Sequence, residues 1–327
     1  MKYFKTKKAQ NYFVRILATM IVMIIISCSM TIDSIVQPSS VNGGDVLPVT
    51  LNVKVETNSG QTSKLMIAVL VPKIWKIAQK GTATFTSDIS TGVQQMTVIP
   101  AGTPAPNANG LDWPTNLATK IGSGGNLIND WEWVAFYSNS TYTLGDNATV
   151  RATVSLRLPT TEDNIAFKLG YAVANSTDGL SGTDYYGTYF FQGCFAVNGT
   201  GDLIDFCNPQ LAAVEPRTSS DNDIITIGFD AGVAANLLDK VPEIYLCATG
   251  ITTTGDSIKV CNTTAGSKLT SLGAGRWRTD IWPRKFFLLS DNQQLERIAY
   301  YFTDATGNVK VGYGGGSAPF LYTFKCQ

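Results

Sequence analysis

VRATVSLRL, residues Val150–Leu158, is the stretch of this sequence that decides its fold. Apolar and polar residues alternate along it without a break, and the apolar set is Val150, Ala152, Val154, Leu156 and Leu158. A repeat of two residues is typical of a β-strand that has one face in a core and the other in solvent. The stretch therefore predicts a strand on the surface of a larger β structure.

Two stretches nearer the N terminus extend this strand to a sheet. VLPVTLNVKVE, residues Val46–Glu56, alternates in the same way, whereas KLMIAVLVP, residues Lys64–Pro72, is almost continuously apolar. A continuous apolar run predicts a central strand that is covered on both faces. Because Gly, Asn, Asp and Pro separate these strands from later ones, we predict an all-β fold made of two β-sandwich units of Ig-like or E-set-like type.

The order of these patterns divides the chain into four parts. We expect a leader at residues 1–27, a polar tether without a core at residues 28–44, an N-terminal sandwich at residues 45–215 and a C-terminal sandwich at residues 220–327. The N-terminal sandwich is expected to carry a long insertion of low order, residues 88–129, because loops of that length are uncommon in compact domains.

The C-terminal sandwich is predicted from a second series of short apolar stretches. A segment with the composition of a linker, residues 209–223, precedes it. The predicted strands are IITIGFD, EIYLCATG, RWRTDIW, RKFFLLS, ERIAYYFTD and FLYTF.

The leader joins a basic start to the apolar run Ile16–Ser27. That run has about a dozen residues, whereas a transmembrane helix needs about 20, so the pattern favours a secretory signal. Ile25-Ile26-Ser27-Cys28 resembles the lipobox of bacterial lipoproteins, and the resemblance implies a diacylglycerol thioether on the Cys28 sulfur. The alternatives are a single transmembrane anchor and a buried helix that contains a cysteine.

The charge balance argues against nucleic acid as a partner. The chain holds 25 basic and 25 acidic residues, and the leader contributes five of the basic ones and no acidic one. A chain that begins at Cys28 therefore carries 20 basic against 25 acidic residues, a net charge near −5. Because binding to phosphates depends on clustered Lys and Arg, we expect no nucleic acid, and contact with a membrane through the lipid anchor alone.

The sequence contains no histidine, which excludes several chemistries at once. Ser-His-Asp and Cys-His catalysis, histidine general bases and most zinc sites all need that side chain. We therefore expect no catalytic residues, no metal, no cofactor and no enzymatic activity. Asp221-Asn222-Asp223 offers oxygen ligands for calcium, but it lacks the twelve-residue loop pattern, and we expect it to cap the following strand.

Apart from Cys28, the chain has five cysteines. An exported chain meets an oxidising compartment, so Cys194–Cys207 and Cys247–Cys261 are possible disulfides, and Cys326 is left over. The alternative is that these residues are free and buried as small apolar side chains, since spacing does not determine pairing.

Three further stretches carry a resemblance to a known family. They are LMIAVLVPKIWKIAQ, EIYLCATGITTTGD, and WRTDIWPRKFFLL followed by IAYYFTDATGNVKVGYGG. Together they resemble an uncharacterised family of Bacteroidota lipoproteins that are encoded in polysaccharide-utilisation loci, and the last unit resembles the β-sandwich modules of SusE/SusF-type glycan-binding proteins.

This resemblance implies a function and a location. The chain is expected to be a non-catalytic, glycan-binding lipoprotein of the outer membrane that captures a polysaccharide or oligosaccharide for a SusC/SusD-type transporter. The cell-surface face is favoured over the periplasmic face, although Ser29–Asp33 supplies only one acid after Cys28. The family's binding residues are not known, so no role transfers to a residue of this chain.

A candidate glycan site follows from alternation in the C-terminal strands. Sugars present apolar faces and a rim of hydroxyl groups, so their sites combine exposed aromatic rings with hydrogen-bonding side chains. Alternation places Trp282, Arg278 and Asp280 on the polar face of one strand, and Tyr301 and Tyr245 on the outward face of others. The alternative is that Trp282 is partly buried under the turn at Pro283 and that Arg278 only pairs with Asp280.

A second candidate is NDWEWVAFY, in which Glu132 lies between two tryptophans. With Asp130 as a partner it would suggest a glycosidase, but the pattern favours tryptophans in a core and a carboxylate at an edge. The alternative functions are therefore a structural or adhesive, fimbria-like lipoprotein and, as a weaker one, a glycoside hydrolase or lyase.

Overall fold

The computed structural model describes residues 28–325, which form strands, turns and short helices. The strands of the first unit are β1 (Cys28–Val36), β2 (Ser40–Asn42), β3 (Val46–Thr57), β4 (Gln61–Ser63), β5 (Leu65–Pro72), β6 (Thr82–Ser87), β7 (Ser90–Val98), β8 (Trp131–Ser138), β9 (Tyr142–Leu144), β10 (Thr149–Pro159), β11 (Asp163–Phe167), β12 (Gly170–Asn175), β13 (Gly187–Phe190), β14 (Phe195–Asn198) and β15 (Thr200–Asp205). The strands of the second unit are β16 (Ala212–Glu215), β17 (Ile225–Asp230), β18 (Tyr245–Thr252), β19 (Ser257–Val260), β20 (Thr270–Gly273), β21 (Arg276–Ile281), β22 (Leu295–Thr303), β23 (Lys310–Val311) and β24 (Phe320–Thr323). The helices are α1 (Ile77–Lys80), α2 (Trp113–Lys120) and α3 (Pro283–Phe286), and 3₁₀ turns occur at Lys73–Trp75 and Tyr313–Gly315. This content confirms the all-β prediction.

The first unit is built on a nine-stranded antiparallel sheet in the order β1-β3-β10-β6-β7-β8-β5-β12-β13. Strand β10 pairs with β3 along its full length, from Thr149 opposite Glu56 to Pro159 opposite Val46. The alternation predicted for β10 is present, because its apolar residues are buried and the polar residues between them are exposed. Strand β5 is buried at every position after Leu65, as expected for a central strand covered on both faces.

A second sheet joins the two units. Its order is β19-β18-β22-β24-β15-β11-β14-β2, and β23 pairs with β22. Strands β11, β14 and β15 contribute Phe167, Phe195 and Val197 to the core of the first unit, whereas β18, β22 and β24 belong to the second. Strand β15 pairs with β24 at Gly201–Thr323 and Asp202–Tyr322, so the backbone hydrogen bonds of one sheet cross the boundary between units.

The second unit is a sandwich of this shared sheet and a four-stranded sheet, β16-β17-β21-β20. Phe229 of β17 and Phe302 of β22 meet between the two sheets, with ring centroids 4.5 Å apart. Ile281 of β21 and Tyr300 of β22 are buried in the same core. The two sheets therefore have opposite outer faces, and residues that point outward from β21 and from β22 lie on different sides of the unit.

The expected tether is a strand over much of its length. Strand β1 pairs with β3 from Cys28 opposite Thr57 to Val36 opposite Thr50, and Met30 is buried in the first core. The tether prediction was wrong here because the few apolar residues of this polar segment recur where they face the core. The predicted leader, residues 1–27, and Cys326 lie outside the described residues.

The expected low-order insertion also contains regular structure. Residues 90–98 form β7, which pairs with β6 and β8, and residues 113–120 form helix α2. Asp112 caps this helix, since its carboxylate accepts a hydrogen bond from the Thr115 N–H at 3.1 Å. The Trp113 side chain is fully buried. A helix of two turns is too short to show a helical period in the sequence.

Two local predictions in the second unit were wrong. RKFFLLS, predicted as a strand, forms helix α3 and the turn after it, because Pro283 has the fixed φ angle that suits a first helical turn. The predicted linker contains β16, which pairs with β17. The cores themselves divide between Phe206 and Leu211, a few residues before the expected boundary.

Disulfides link Cys194 to Cys207 and Cys247 to Cys261. The first lies between the ends of β14 and β15, and the second joins β18 to the residue that follows β19. Among the described residues, no helix is long and apolar enough to cross a membrane.

Candidate functional site

Trp282 lies at the edge of an open cleft in the second unit. The cleft has an empty volume of about 970 Å³, and its lining residues are Val260, Asn262, Thr264, Gly266, Asp280, Ile281, Trp282, Lys285, Phe286 and Leu288. We refer to these residues as the Trp282 cleft. Trp282 is 45% exposed, so part of its surface is open to the cleft and the rest is covered, which is compatible with the alternative of partial burial beside the Pro283 turn.

The backbone around Trp282 presents a second apolar side chain to solvent. Helix α3 begins at Pro283, and the Phe286 N–H donates to the Trp282 carbonyl at 2.8 Å. Leu288 follows with a φ of 52°, a left-handed conformation that non-glycine residues rarely adopt, and it is 85% exposed. Strained positions of this kind cluster at functional sites.

Arg284 fixes the loop that carries these residues. Its guanidinium donates to Asp221 Oδ2 at 3.2 Å, to the Gln293 carbonyl at 2.8 Å and to the Ser290 carbonyl at 2.9 Å. The side chains of Arg284 and Asp221 are only 19% and 9% exposed. Asp221 Oδ2 also accepts the buried Leu295 N–H at 3.0 Å. Asp221 therefore anchors the loop, a role that the sequence did not indicate, and its neighbour Asp223 caps Ser220.

The opposite wall of the cleft is the segment that follows the Cys247–Cys261 disulfide. The Ser267 hydroxyl donates to the Asn262 carbonyl at 2.5 Å, and the Thr264 hydroxyl donates to Asn262 Oδ1 at 2.9 Å. These bonds and the disulfide hold Asn262 and Thr264 in place, and both residues are exposed to solvent. Their amide and hydroxyl groups are of the kind that bind sugar hydroxyls.

Arg278 and Asp280 lie on the outward face of β21, as the alternation predicts, and Trp282 follows directly after the strand. Arg278 and Asp280 do not pair with each other. The Asp280 carboxylate accepts a hydrogen bond from the Thr226 hydroxyl at 2.7 Å. Arg278 has no ion pair within the described residues. Trp277, which precedes Arg278 in the sequence, packs on the core side and is half-buried.

Tyr245 and Tyr301 do not belong to this site, so the five predicted residues do not form one surface. They lie on β18 and β22, whose outward face is on the other side of the sandwich. Tyr245 is only 7% exposed, its hydroxyl donates to Glu243 at 2.7 Å, and the Lys268 ammonium lies 6.0 Å from its ring centroid. Tyr301 is half-buried opposite Cys247. Alternation identifies the face of a strand but not the sheet to which the strand belongs.

The second candidate, around Glu132, is part of the first core. Trp133 is buried on β8, and its indole N–H donates to the Gly122 carbonyl at 3.0 Å. Burial raises the pKa of Glu132, and the charge of Asp130 adds to this while Lys73 opposes it. The described residues contain no cluster of three or more His, Cys, Asp or Glu that could hold a metal ion.

Cys28 lies inside the first unit. Its side chain is 8% exposed and lines an apolar pocket with Met30, Phe85 and Val150. Burial raises the pKa of the Cys28 thiol to about 11, and the charge of Asp178 adds to this, while a hydrogen bond from Asn175 opposes it. The predicted lipid attachment point is therefore the first residue of a packed strand.

Comparison of the sequence with protein families gives two matches. Residues 30–210 match a domain of unknown function, DUF4961, and residues 212–311 match a second one, DUF8578. The first match covers more than half of the chain. The chain belongs to the DUF4961 family. The two matched ranges of this DUF4961 protein are separated by residue 211 alone, next to the division of the two hydrophobic cores between Phe206 and Leu211.

Several solved structures resemble the DUF4961 chain distantly. AvmM, which catalyses macrocyclization in alchivemycin A biosynthesis, is 12% identical over 54% of this chain and 90% of its own, with a TM-score of 0.28. The C-terminal domain of the Streptococcus pyogenes antigen I/II-family protein AspA is 10% identical over 91% and 99%, with a TM-score of 0.23. BcpA, the major pilin subunit of Bacillus cereus, is 9% identical over 91% and 67%, with a TM-score of 0.21. No curated protein matches the DUF4961 chain.

Proposed function

We propose that this protein is a non-catalytic glycan-binding protein and that the Trp282 cleft is its binding site. The supporting observation is an exposed indole beside an open cleft that also presents amide, hydroxyl, carboxylate and ammonium groups, from Asn262, Thr264, Asp280 and Lys285. The apolar face of a sugar stacks on an aromatic ring, and polar groups around the ring orient the sugar hydroxyls.

Trp282 is suited to this role because its side chain is exposed while the loop that follows it is held in place. The side chains of the other five tryptophans are fully buried (Trp75, Trp113 and Trp133) or half-buried (Trp131 and Trp277). The contacts of Arg284 with Asp221 and with two backbone carbonyls hold the loop beneath Trp282. A fixed platform reduces the ordering cost of binding and so raises affinity.

Affinity electrophoresis in gels that contain single polysaccharides tests the proposal. Trp282→Ala should lower the affinity for the bound polysaccharide at least tenfold, because the ring supplies most of the stacking surface. Tyr301→Ala is the matched control, since it removes an aromatic ring from the opposite outer face. Thermal unfolding of both variants checks that the fold is intact.

Four outcomes would contradict the proposal. Retention of full affinity by Trp282→Ala would show that the cleft is not the site. A loss of affinity in Tyr301→Ala, with none in Trp282→Ala, would show that the site lies on the outer face of the sheet that contains β22. Absence of binding to every polysaccharide would reject the function itself and favour the structural or adhesive alternative, whereas shortening of a bound polysaccharide would favour a hydrolase or lyase.

We also propose that the protein is a lipoprotein of the outer membrane that serves a SusC/SusD-type transporter. The support is the lipobox-like sequence before Cys28 and the family resemblance. Cys28 lines an apolar pocket, so we expect a thioether-linked lipid to leave the fold between apolar side chains. Metabolic labelling with a fatty acid should mark the wild type and Cys326→Ala but not Cys28→Ala. Labelling that persists in Cys28→Ala would contradict this proposal.

A further inference from the structure

The strand face that leads to Trp282 carries positive charge without a partner. Arg276 and Arg278 point outward from β21, as does Asp280, and the same side continues to Trp282. At about 3.3 Å per residue, this row extends roughly 20 Å from Arg276 to Trp282. Lys285 adds a third cation inside the Trp282 cleft.

None of these three cations is neutralised by an ion pair. Across residues 28–325, no carboxylate oxygen lies within 4.0 Å of the side-chain nitrogens of Arg276, Arg278 or Lys285. Sixteen of the 20 cations among the described residues form no ion pair, so these three are distinguished by their position on the face that leads to Trp282 or in the Trp282 cleft.

Three carboxylates lie on the same sheet, and none of them forms an ion pair with Arg276 or Arg278. Asp230, directly opposite Arg276 on β17, accepts the Gly232 N–H at 2.9 Å. Asp280 accepts the Thr226 hydroxyl at 2.7 Å. Glu215 lies on β16, two strands from β21, which corresponds to about 10 Å across the sheet. The guanidinium groups of Arg276 and Arg278 are therefore left available to a ligand.

A shallow depression lies beside the two arginines. It has an empty volume of about 760 Å³, and Arg276 and Arg278 line it together with Gly228 and Ala213, while Asp230 and Glu215 also belong to its lining. Gly228 is directly opposite Arg278 and carries no side chain, and Ala213 is directly opposite Gly228. Small residues at these two positions leave room for a bulky group next to the Arg278 guanidinium.

We propose that the glycan is anionic and that Arg278 and Arg276 bind its carboxylate or sulfate groups while one of its sugars stacks on Trp282. This inference rests on the proposed function and names the class of its ligand. A guanidinium presents paired N–H donors that match two oxygens of a carboxylate or sulfate group. The span of the row suits a polymer, because one sugar cannot reach both Trp282 and Arg276.

Affinity electrophoresis and calorimetry with three polymers test the inference. Polygalacturonate supplies carboxylates, chondroitin sulfate supplies sulfates together with carboxylates, and dextran is neutral. The protein should bind at least one anionic polymer at least tenfold more tightly than dextran, and a preference for chondroitin sulfate over polygalacturonate would assign the contact to sulfate. Raising the NaCl concentration should weaken this binding, because salt screens exposed charges.

Substitutions then locate the contact. The double variant Arg276→Gln/Arg278→Gln should lose at least tenfold in affinity for the anionic polymer. Arg297→Gln is the matched control, since Arg297 is an exposed arginine on β22 of the opposite sheet, and it should retain affinity within twofold. Unchanged binding by the double variant, or dextran bound as tightly as the anionic polymers, would overturn the inference.

The same experiments separate this inference from the proposed function. If dextran or another neutral polymer binds and Trp282→Ala abolishes that binding, the function stands and the anionic specificity is rejected. If neither neutral nor anionic polysaccharides bind the wild type, both are rejected.

Discussion

Removal of the Asp221 charge should destabilise the second unit and weaken ligand binding together. Asp221 Oδ2 accepts hydrogen bonds from the Arg284 guanidinium and from the Leu295 N–H, and both side chains of the pair are largely buried. Asp221→Asn leaves the Arg284 charge without its counterion in that position. Breaking one side of a fully buried pair costs about 3–5 kcal/mol, and because Arg284 keeps two carbonyl partners, we expect roughly 3 kcal/mol.

Urea denaturation followed by circular dichroism measures this free energy of unfolding. Asp223→Asn is the matched control, since Asp223 is exposed and caps Ser220 only, and it should have a much smaller effect. When Arg284 has already been replaced by Met, the further change Asp221→Asn should have almost no effect on the free energy of unfolding, because no uncompensated Arg284 charge is then left. A cost below about 1 kcal/mol for Asp221→Asn, or additive effects in the double variant, would refute the role of this pair.

Two further predictions concern the seam between the units and the wall of the cleft. Burial raises the pKa of Asp202 from 3.8 to about 6. Between these two values the folded state holds a proton that the unfolded state has lost. The free energy of unfolding should therefore fall by roughly 3 kcal/mol as the pH rises from about 4 to about 6. Asp202→Asn should remove this decrease in unfolding experiments across that range, and an unchanged pH dependence would contradict the assignment. Replacing Cys247 and Cys261 by Ala should cost about 3 kcal/mol and also lower glycan affinity, since the disulfide holds the cleft wall. Replacing Cys194 and Cys207 should lower stability but leave affinity unchanged, and equal effects of the two pairs on affinity would contradict this account.

Features that depend on local patterns could be predicted from the sequence. The alternation in Val150–Leu158 and Val46–Glu56 produced strands whose apolar residues face the core, and the continuous run Lys64–Pro72 produced a strand covered on both faces. A strand's period is a property of its own residues, so it can be recognised without knowledge of its neighbours. The same alternation correctly placed Trp277 toward the core and Trp282 toward solvent.

Features that depend on pairing between distant strands could not be predicted. Trp282 and Tyr301 are both outward by alternation, yet β21 pairs with β17 and β22 pairs with β18, which places them on opposite sides of the sandwich. The contact between Asp221 and Arg284 joins residues 63 positions apart, and nothing local marks it. Pro283 was the one local feature that indicated a turn after Trp282. The apolar residues that follow Pro283 favoured a strand instead, and the turn was not predicted.

Indole N–H signals in a nitrogen-edited NMR spectrum test the central claim most directly. The chain has six tryptophans and therefore six such signals, and the one that disappears in Trp282→Phe belongs to Trp282. The ligand is an oligosaccharide mixture prepared from the polysaccharide that slows the protein most in affinity electrophoresis. It should shift the Trp282 signal and leave the signals of buried Trp75, Trp113 and Trp133 unchanged. An unchanged Trp282 signal at saturating ligand, with shifts at other tryptophans, would contradict the account.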